Sequence, residues 1–360
     1  MVVCPFCSAG NGVVLESFPI ADLDALYRRL YKAPVARLFG GRDVLSLMRC
    51  VECDLRWYEP MAGGDEDFYN TLQHKPWYYV DHKHEFDLAL PCIEPGSAVL
   101  EVGSGKGNFA RFLQNSGRPH RYTGLDFSSQ AQRMAASNGI DIRIQSIQEF
   151  ADSHPDAYDV VCAFQVLEHV VEIRSFLNAV AQALKPGGLM LIAVPSEDSY
   201  ISQSNNLALN LPPHHISRYT DRWFTHAATI LDMELLRVEH DPLQPHHRFD
   251  YIYQLTIASI YKLMRRRRPM VDHRWMNWLA RIPAFMLGKF LAQGLGPHNS
   301  PHGHTVLAVF RKPLAPTRGP IETIANNDST NGEVSLPNGD ATTTKGDSMN
   351  IEGNAQASHA

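Results

Sequence analysis

Two rhythms of apolar residues alternate through the middle of the chain. Ala98–Val102, Arg121–Asp126, Ile140–Gln145, Tyr158–Ala163 and Leu189–Val194 read as strands, the first and the last two as short apolar runs. Runs of this length with few polar breaks fit strands buried on both faces. Between them, Asn108–Gln114 and Ser128–Asn138 read as helices. Ile173, Phe176, Leu177, Val180 and Leu184 mark one face of an amphipathic helix. Lys185-Pro186-Gly187-Gly188 is expected to stop that helix and turn the chain. The alternation predicts an α/β fold: a doubly wound parallel sheet covered on both faces, with right-handed crossovers and ligands at the carboxyl ends of the strands. Met233–Glu239 and His304–Phe310 predict two further strands late in the chain.

The flanking regions follow other patterns. Residues 1–60 read as a unit of their own. Cys4-Pro5-Phe6-Cys7 opens it and Cys50-Val51-Glu52-Cys53 nearly closes it. Between them Leu23, Leu26, Tyr27 and Leu30 fall at helical spacing, and Val44–Met48 reads as a strand. Residues 61–95 read as a linker with aromatic content (Trp77, Tyr78, Tyr79) and a helical lead-in to a domain spanning 96–312. That domain carries a helical insertion near 245–300, with Arg265–Arg268 followed by Trp275, Trp278, Ile282, Phe285, Met286, Leu287 and Phe290. From 313 to 360 the composition turns to Thr, Asn, Gly, Ser and Pro, which predicts a disordered tail.

Composition narrows the function classes. The 360 residues carry a formal net charge of −5, so there is no general basic field and no nucleic-acid partner is expected. The N-terminus lacks the charged and apolar regions of a signal peptide, and no uncharged apolar run approaches the ~18 residues of a bilayer span. A cytoplasmic location is expected. Six cysteines, four of them in two close pairs, suit a metal site in a reducing compartment better than a disulfide framework.

The densest chemical signal is the stretch from Val99 to Phe109, VLEVGSGKGNF. It reads as a strand, a glycine loop and a helix, with E-x-G-x-G-x-G spacing. In the dinucleotide fingerprint the third glycine comes one residue later. A helix N-terminus can hold a phosphate, but the G-x-x-x-x-G-K-[ST] pattern is absent, which argues against a nucleoside triphosphatase. Asp126 closes the next strand in Gly124-Leu125-Asp126. A carboxylate there can accept two hydrogen bonds from a ribose diol.

With VLEVGSGKGNF, YTGLDFS, YDVVCAFQVLEHV and LKPGGLMLIAVP in that order, the chain resembles the class I S-adenosylmethionine-dependent methyltransferases. The resemblance is close from Ala98 to Pro195 and loose to residue 312. It implies a Rossmann-like seven-stranded sheet whose last strand is antiparallel, and S-adenosylmethionine as cofactor. Glu101 and Gly103 would lie near the methionine end, Gly105 would allow close backbone approach, and Asp126 would hold the ribose. Phe127 would flank the adenine and Ile147, in Ser146-Ile147-Gln148, would sit at its edge, with packing as the alternative role for both. Phe164 and Gln165 would lie near the sulfonium. Gln148 stands where the family commonly has an acidic or small residue.

A hydroxyl or carbon acceptor needs a base or a metal to lose its proton. His169, just after the fourth strand, is one candidate; its alternative role is to cap or pack the following helix. His214 and His215, in Leu211-Pro212-Pro213-His214-His215-Ile216-Ser217-Arg218-Tyr219-Thr220, are the others. The alternative there is a rigid loop whose Thr220 caps a helix starting near Asp221. His246 and His247 read as a surface pair.

The two C-x-x-C knuckles, Cys4/Cys7 and Cys50/Cys53, fit a tetrahedral structural Zn2+ site. A module with little core needs such a staple, and it is expected to shape the acceptor side of the cleft. Redox pairs or unligated thiols are the alternative. The module resembles a zinc-ribbon-like N-terminal unit of sugar C-methyltransferases and of methyltransferases that modify cell-surface saccharides, though sugar C-methyltransferases carry a further C-terminal α/β domain. The expected acceptor is a small molecule or saccharide, methylated at oxygen. Rival readings are C- or N-methylation in polysaccharide or secondary-metabolite synthesis, and a non-catalytic zinc-containing scaffold. Residues 265–292 suggest peripheral contact with an anionic membrane surface, with a helical lid or a dimer contact as alternatives. The sequence leaves the oligomeric state open.

Overall fold

The computed structural model describes residues 2–73, 75, 81–118, 120–295 and 301–314. Trp77, Tyr78, Tyr79 and the expected tail beyond residue 314 lie outside the described residues.

In chain order the first half contains β1 (Gly12–Pro19), α1 (Ile20–Tyr31), β2 (Val44–Cys50), β3 (Arg56–Glu59), α2 (Glu66–Gln73), α3 (His84–Ala89), β4 (Ala98–Val102), α4 (Asn108–Asn115), β5 (Arg121–Asp126), α5 (Ser129–Ala136), β6 (Ile142–Ile144), α6 (Ile147–Ser153) and β7 (Tyr158–Phe164). The second half adds α7 (Ile173–Ala183), β8 (Leu184–Pro195), β9 (Ser217–Arg218), α8 (Asp221–Ile230), β10 (Glu234–Pro242), α9 (Arg248–Leu263), α10 (Trp275–Leu291) and β11 (His302–Arg311).

Seven strands form the large sheet in the order β10-β11-β8-β7-β4-β5-β6. β8, β7, β4, β5 and β6 run parallel, and β11 enters antiparallel between β8 and β10. This is the Rossmann-like sheet that the alternating rhythms imply. β4 is buried along its whole length, as a central parallel strand must be. The order reverses between β4 and β7, so the loops after these two strands splay apart and open a crevice at their carboxyl ends.

Several details differ from the sequence reading. Lys185–Gly188 is not a separate turn but lies within β8, where the register against β7 jumps from Tyr158↔Leu184 to Val160↔Leu189. The extra residues bulge while the strand continues. α6 went unrecognised although it has a clear start signal: Ser146 accepts from the Glu149 amide and the Glu149 side chain returns to the Ser146 amide.

The N-terminal region is a second sheet in the order β1-β2-β3-β9. Its fourth strand is two residues drawn from the middle of the chain, with Trp57 opposite Ser217 and Arg56 opposite Arg218. One continuous apolar core joins the two sheets. Cys4, Phe6, Cys53, Leu55 and Trp57 share it with Leu100, Val161, Ile192, Trp223 and Phe224. Phe6 meets the Trp223 ring at 5.1 Å. Burying side chains of this size contributes roughly 1.5–3 kcal/mol each, so the small sheet is bound into the fold by packing as well as by pairing.

α9 and α10 form the insertion and close on a small core of Ile257, Tyr261, Ala280 and Ala284. The other face of α10 leaves Trp275, Trp278, Ile282, Phe285, Met286 and Phe290 exposed.

Candidate functional site

A cleft of about 600 Å³ opens at the carboxyl ends of β4, β5 and β7. Glu101, Gly103, Gly105, Asp126, Phe127, Phe164, Gln165, His169, His214 and His215 all line it. For Ile147 the structure shows the packing alternative: its side chain is buried in the main core at the start of α6 and is not among the residues lining the cleft. A β-branched apolar side chain at the first turn of a core-packed helix turns inward. Further cleft residues come from the segment read as a linker. Gly63, Gly64 and Tyr69 come from in and around α2, and Lys83 and Phe86 from around α3. They carry no motif spacing, so nothing in the sequence marked them.

One wall is built by the glycine loop. β4 runs into Gly103, which takes φ +75° and donates its N–H to the Leu125 carbonyl at 2.8 Å. A Cβ on Gly103 would stand 2.3 Å from Val166 Cγ2, so neither the backbone conformation nor the space admits a side chain. Gly105, at φ +52°, turns its N–H onto Asp126 Oδ2 at 2.7 Å. The other carboxylate oxygen accepts from the Ser128 amide at 2.8 Å. These bonds fix the Asp126 side chain at the end of β5, while burial raises its pKa. Glu101 is buried at the end of β4 and accepts from the Tyr122 hydroxyl. Desolvation pushes it up to about 8. Phe127 stands 78 % exposed at the rim. Phe164 is buried against Phe86 and Phe109. Gln165 holds φ +60°, a conformation that costs a non-glycine residue of order 1–3 kcal/mol. Its amide donates to the Ala193 carbonyl at 2.8 Å and its side-chain nitrogen to Glu85 at 3.3 Å.

The opposite wall is built by histidines. His169 sits in the turn Leu167–His169 after β7, and His214 and His215 sit in the loop before β9. Ring centroids are 4.7 Å apart for His169–His214, 5.0 Å for His169–His215 and 4.6 Å for His214–His215. Desolvation lowers His169 to about 4 and holds His214 and His215 well below the usual range, so all three rings are neutral. His169 Nδ1 donates to the His214 carbonyl, with the Tyr69 hydroxyl 3.3 Å away. His214 Nδ1 donates to the Leu209 carbonyl at 2.9 Å. His215 Nδ1 meets Asn210 Oδ1 at 3.2 Å. Glu168 is fully buried beside them and pushed up to about 8 by desolvation.

The histidine loop is held from the N-terminal sheet. Beyond the β3–β9 pairing, the Tyr58 amide donates to the Ile216 carbonyl at 3.0 Å. Tyr27 donates to the Ala208 and Leu211 carbonyls. Arg218 donates to the Asn210 carbonyl at 2.8 Å and pairs with Glu197, which Arg56 of β3 also contacts at 2.7 Å. Thr220 caps α8, accepting from the Trp223 amide, and donates to Asp54 Oδ2 at 2.8 Å. Asp54 directly follows the second cysteine knuckle. In that knuckle pair, Cys4 Sγ lies 3.6 Å from Cys53 Sγ and Cys7 Sγ 3.5 Å from Cys50 Sγ. Zinc–sulfur bonds of about 2.3 Å in a tetrahedron set sulfurs about 3.8 Å apart, so the four thiols already stand near a tetrahedral spacing.

A family model for a methyltransferase domain matches residues 73–253, half of the chain. The chain belongs to the class I S-adenosylmethionine-dependent methyltransferases. Among related methyltransferases, a ubiquinone biosynthesis O-methyltransferase of Sodalis glossinidius is 35% identical over 99 residues, 26% of this chain and 39% of that one. Another with the same name, from Thiobacillus denitrificans, is 33% identical over 154 residues, 41% of this chain and 60% of that one. The match thus spans less than two thirds of the curated methyltransferases' own length. A solved SAM-dependent methyltransferase of Archaeoglobus fulgidus is 16% identical, covering 68% of this chain and all of that one, with a TM-score of 0.45.

Proposed function

We propose that the protein transfers a methyl group from S-adenosylmethionine to a hydroxyl of a small molecule bound against His169, His214 and His215. The observation that carries the reading is the meeting, in one cleft, of the glycine-loop wall and a wall of three neutral imidazoles. The residues present fit the donor. Glu101 is a buried carboxyl with a strongly raised pKa, and a cationic ammonium beside it would restore its charge. Asp126, fixed by two backbone amides, still offers lone pairs to a diol. Bound there, the donor supplies a methyl already activated on a sulfonium. The protein's part is then to place the acceptor oxygen in line, which can lower a barrier by ~7–11 kcal/mol, and to take the proton of the hydroxyl. The imidazoles are neutral, so they are able to accept it.

The acceptor wall is Tyr69, Val170 and Leu209 around the histidines, an aromatic and apolar lining that fits a ring-bearing hydroxyl better than a saccharide. The related O-methyltransferases of ubiquinone synthesis agree with that preference. The four cysteines would hold a structural zinc ion. The exposed face of α10 would lie on an anionic bilayer. Lys262, Arg265, Arg266, Arg281 and Lys289 are exposed around it, and Asp272 is the one acidic residue between 251 and 292. Arg267 is exposed but paired with Glu16, while Arg268 bonds inward, to Gln254 and Asn205. Among the described residues no helix is long and apolar enough to cross a membrane, which leaves interfacial binding as the mode.

Calorimetry of the full chain with S-adenosylmethionine tests the donor; no binding ends the reading. A labelled donor offered with phenolic and saccharide acceptors tests the rest, and transfer to saccharides alone reassigns the acceptor. Sedimentation with phosphatidylserine vesicles tests the α10 face. Binding that persists in R265E/R266E/W278E removes that surface from the account.

A further inference from the structure

We infer that His169, His214 and His215 form a binding site for a divalent first-row transition cation at the acceptor end of the cleft, with the buried Glu168 carboxyl behind it. The role of that cation rests on the proposed methyl transfer; its binding does not. One ring nitrogen from each histidine lies within 4.8 Å of the other two. The Nδ1 atoms are accounted for, on the carbonyls of His214 and Leu209 and on Asn210 Oδ1. A carbonyl oxygen only accepts, so each such bond places the proton on Nδ1 and the lone pair on Nε2. An imidazole oriented in this way by an oxygen behind it is the usual state of a metal ligand, because that bond sets both tautomer and ring direction. A general base needs one such ring, and this site has three.

Glu168 is a separate observation. It is 1 % exposed, and neither carboxylate oxygen has a hydrogen-bond partner among the described residues. Its Oε1 stands 3.9 Å from His215 Nε2. A buried carboxylate without partners is costly, and a dication held by neighbouring imidazoles supplies the missing charge. Three imidazole nitrogens select zinc, iron, cobalt, nickel or copper over magnesium and calcium, which prefer all-oxygen sets. Bonds of about 2.0–2.1 Å to a tetrahedral ion set nitrogens about 3.4 Å apart, so the three rings, with nitrogens within 4.8 Å of one another, would draw together on binding. In the loaded site, in place of an imidazole base, an acceptor hydroxyl would bind the cation through its oxygen, become more acidic and release its proton to water at the open side of the cleft. The oxygen, then an alkoxide or phenolate, is the nucleophile.

The test is cobalt titration of the purified full chain, followed by absorption. An ion on the cysteines shows thiolate-to-metal charge transfer; an ion on imidazoles does not. The expected result is one equivalent without the thiolate signature, lost in the H169Q/H215Q double variant and in E168Q/H214Q, while any thiolate signal remains. S-adenosylmethionine calorimetry on the same samples reports whether the variants keep the fold, and separately whether the donor reading stands. Failure of the unaltered chain to take up such an ion overturns the metal site, as does uptake that both variants retain.

Discussion

The two walls of the cleft are built on opposite plans. The donor wall comes from one contiguous run, residues 98–128, in which strand, glycine loop, helix and the Asp126 carboxylate follow each other directly. The acceptor wall is assembled from distant pieces: Tyr69 on α2, His169 after β7, and a histidine loop hung on the N-terminal sheet through β3, Asp54 and Tyr27. A contiguous wall depends on local backbone geometry. An assembled wall depends on everything that holds its parts in place. Damage to the N-terminal sheet should therefore reach the acceptor loop, while damage to the glycine loop should stop at the donor.

The strongest challenge to this contrast is removal of the cysteine site. Structural zinc in small modules carries apparent binding energies of roughly 10–16 kcal/mol. C50S, or a chelator acting on the unaltered protein, should abolish amide-exchange protection in β2 and β3 and, with them, in residues 211–220. Protection that persists in 211–220 would show that the histidine loop stands without the module. Next comes R218M, which leaves the buried Glu197 carboxylate with Arg56 alone. Breaking a buried ion pair costs about 3–5 kcal/mol, read as a drop in denaturant midpoint; a change under about 1 kcal/mol would show the pair to be incidental. On the donor side, G103A should weaken S-adenosylmethionine binding more than about tenfold, since the strain of a left-handed alanine is about 1–2 kcal/mol and its Cβ would also press on Val166, and should leave exchange in 211–220 unaltered. Faster exchange of residues 211–220 in G103A would couple the walls. The smallest effect is one of pH. In the free protein Glu101 holds its proton up to about 8, and an ammonium beside it favours the carboxylate. Donor affinity should then rise about fivefold from pH 7 to pH 8 and level off above, because fewer molecules need to release a proton on binding. A flat profile, or a rise retained in E101Q, would assign the dependence elsewhere.

Legibility in the sequence divides along the same line. β4 and β5 occupy Ala98–Val102 and Arg121–Asp126, the limits read from the sequence; β4 is apolar and buried throughout, as a central strand must be. The glycine loop was legible because φ above zero restricts residue choice. β9 was not: two residues have no periodicity, and their partner, β3, lies far back in the chain. The contribution of α2 and α3 to the cleft was equally silent, since Tyr69 and Lys83 reach the site through tertiary placement. Ile147 shows the converse limit. A position carried over from a family pattern can land at the start of a helix and bury its side chain in the core rather than in the cleft.

The two-residue strand β9 also has a consequence in time. During synthesis β1, β2 and β3 emerge first, and β3 presents an unpaired edge. It stays open while the strands from β4 to β8 are made, and closes when Ser217 and Arg218 arrive. An exposed strand edge is a template for the wrong neighbour. The last event in building the acceptor wall is thus also the one that protects the nascent chain, so a ribosome stalled before residue 217 would release a protein with a formed glycine loop and an adhesive N-terminus.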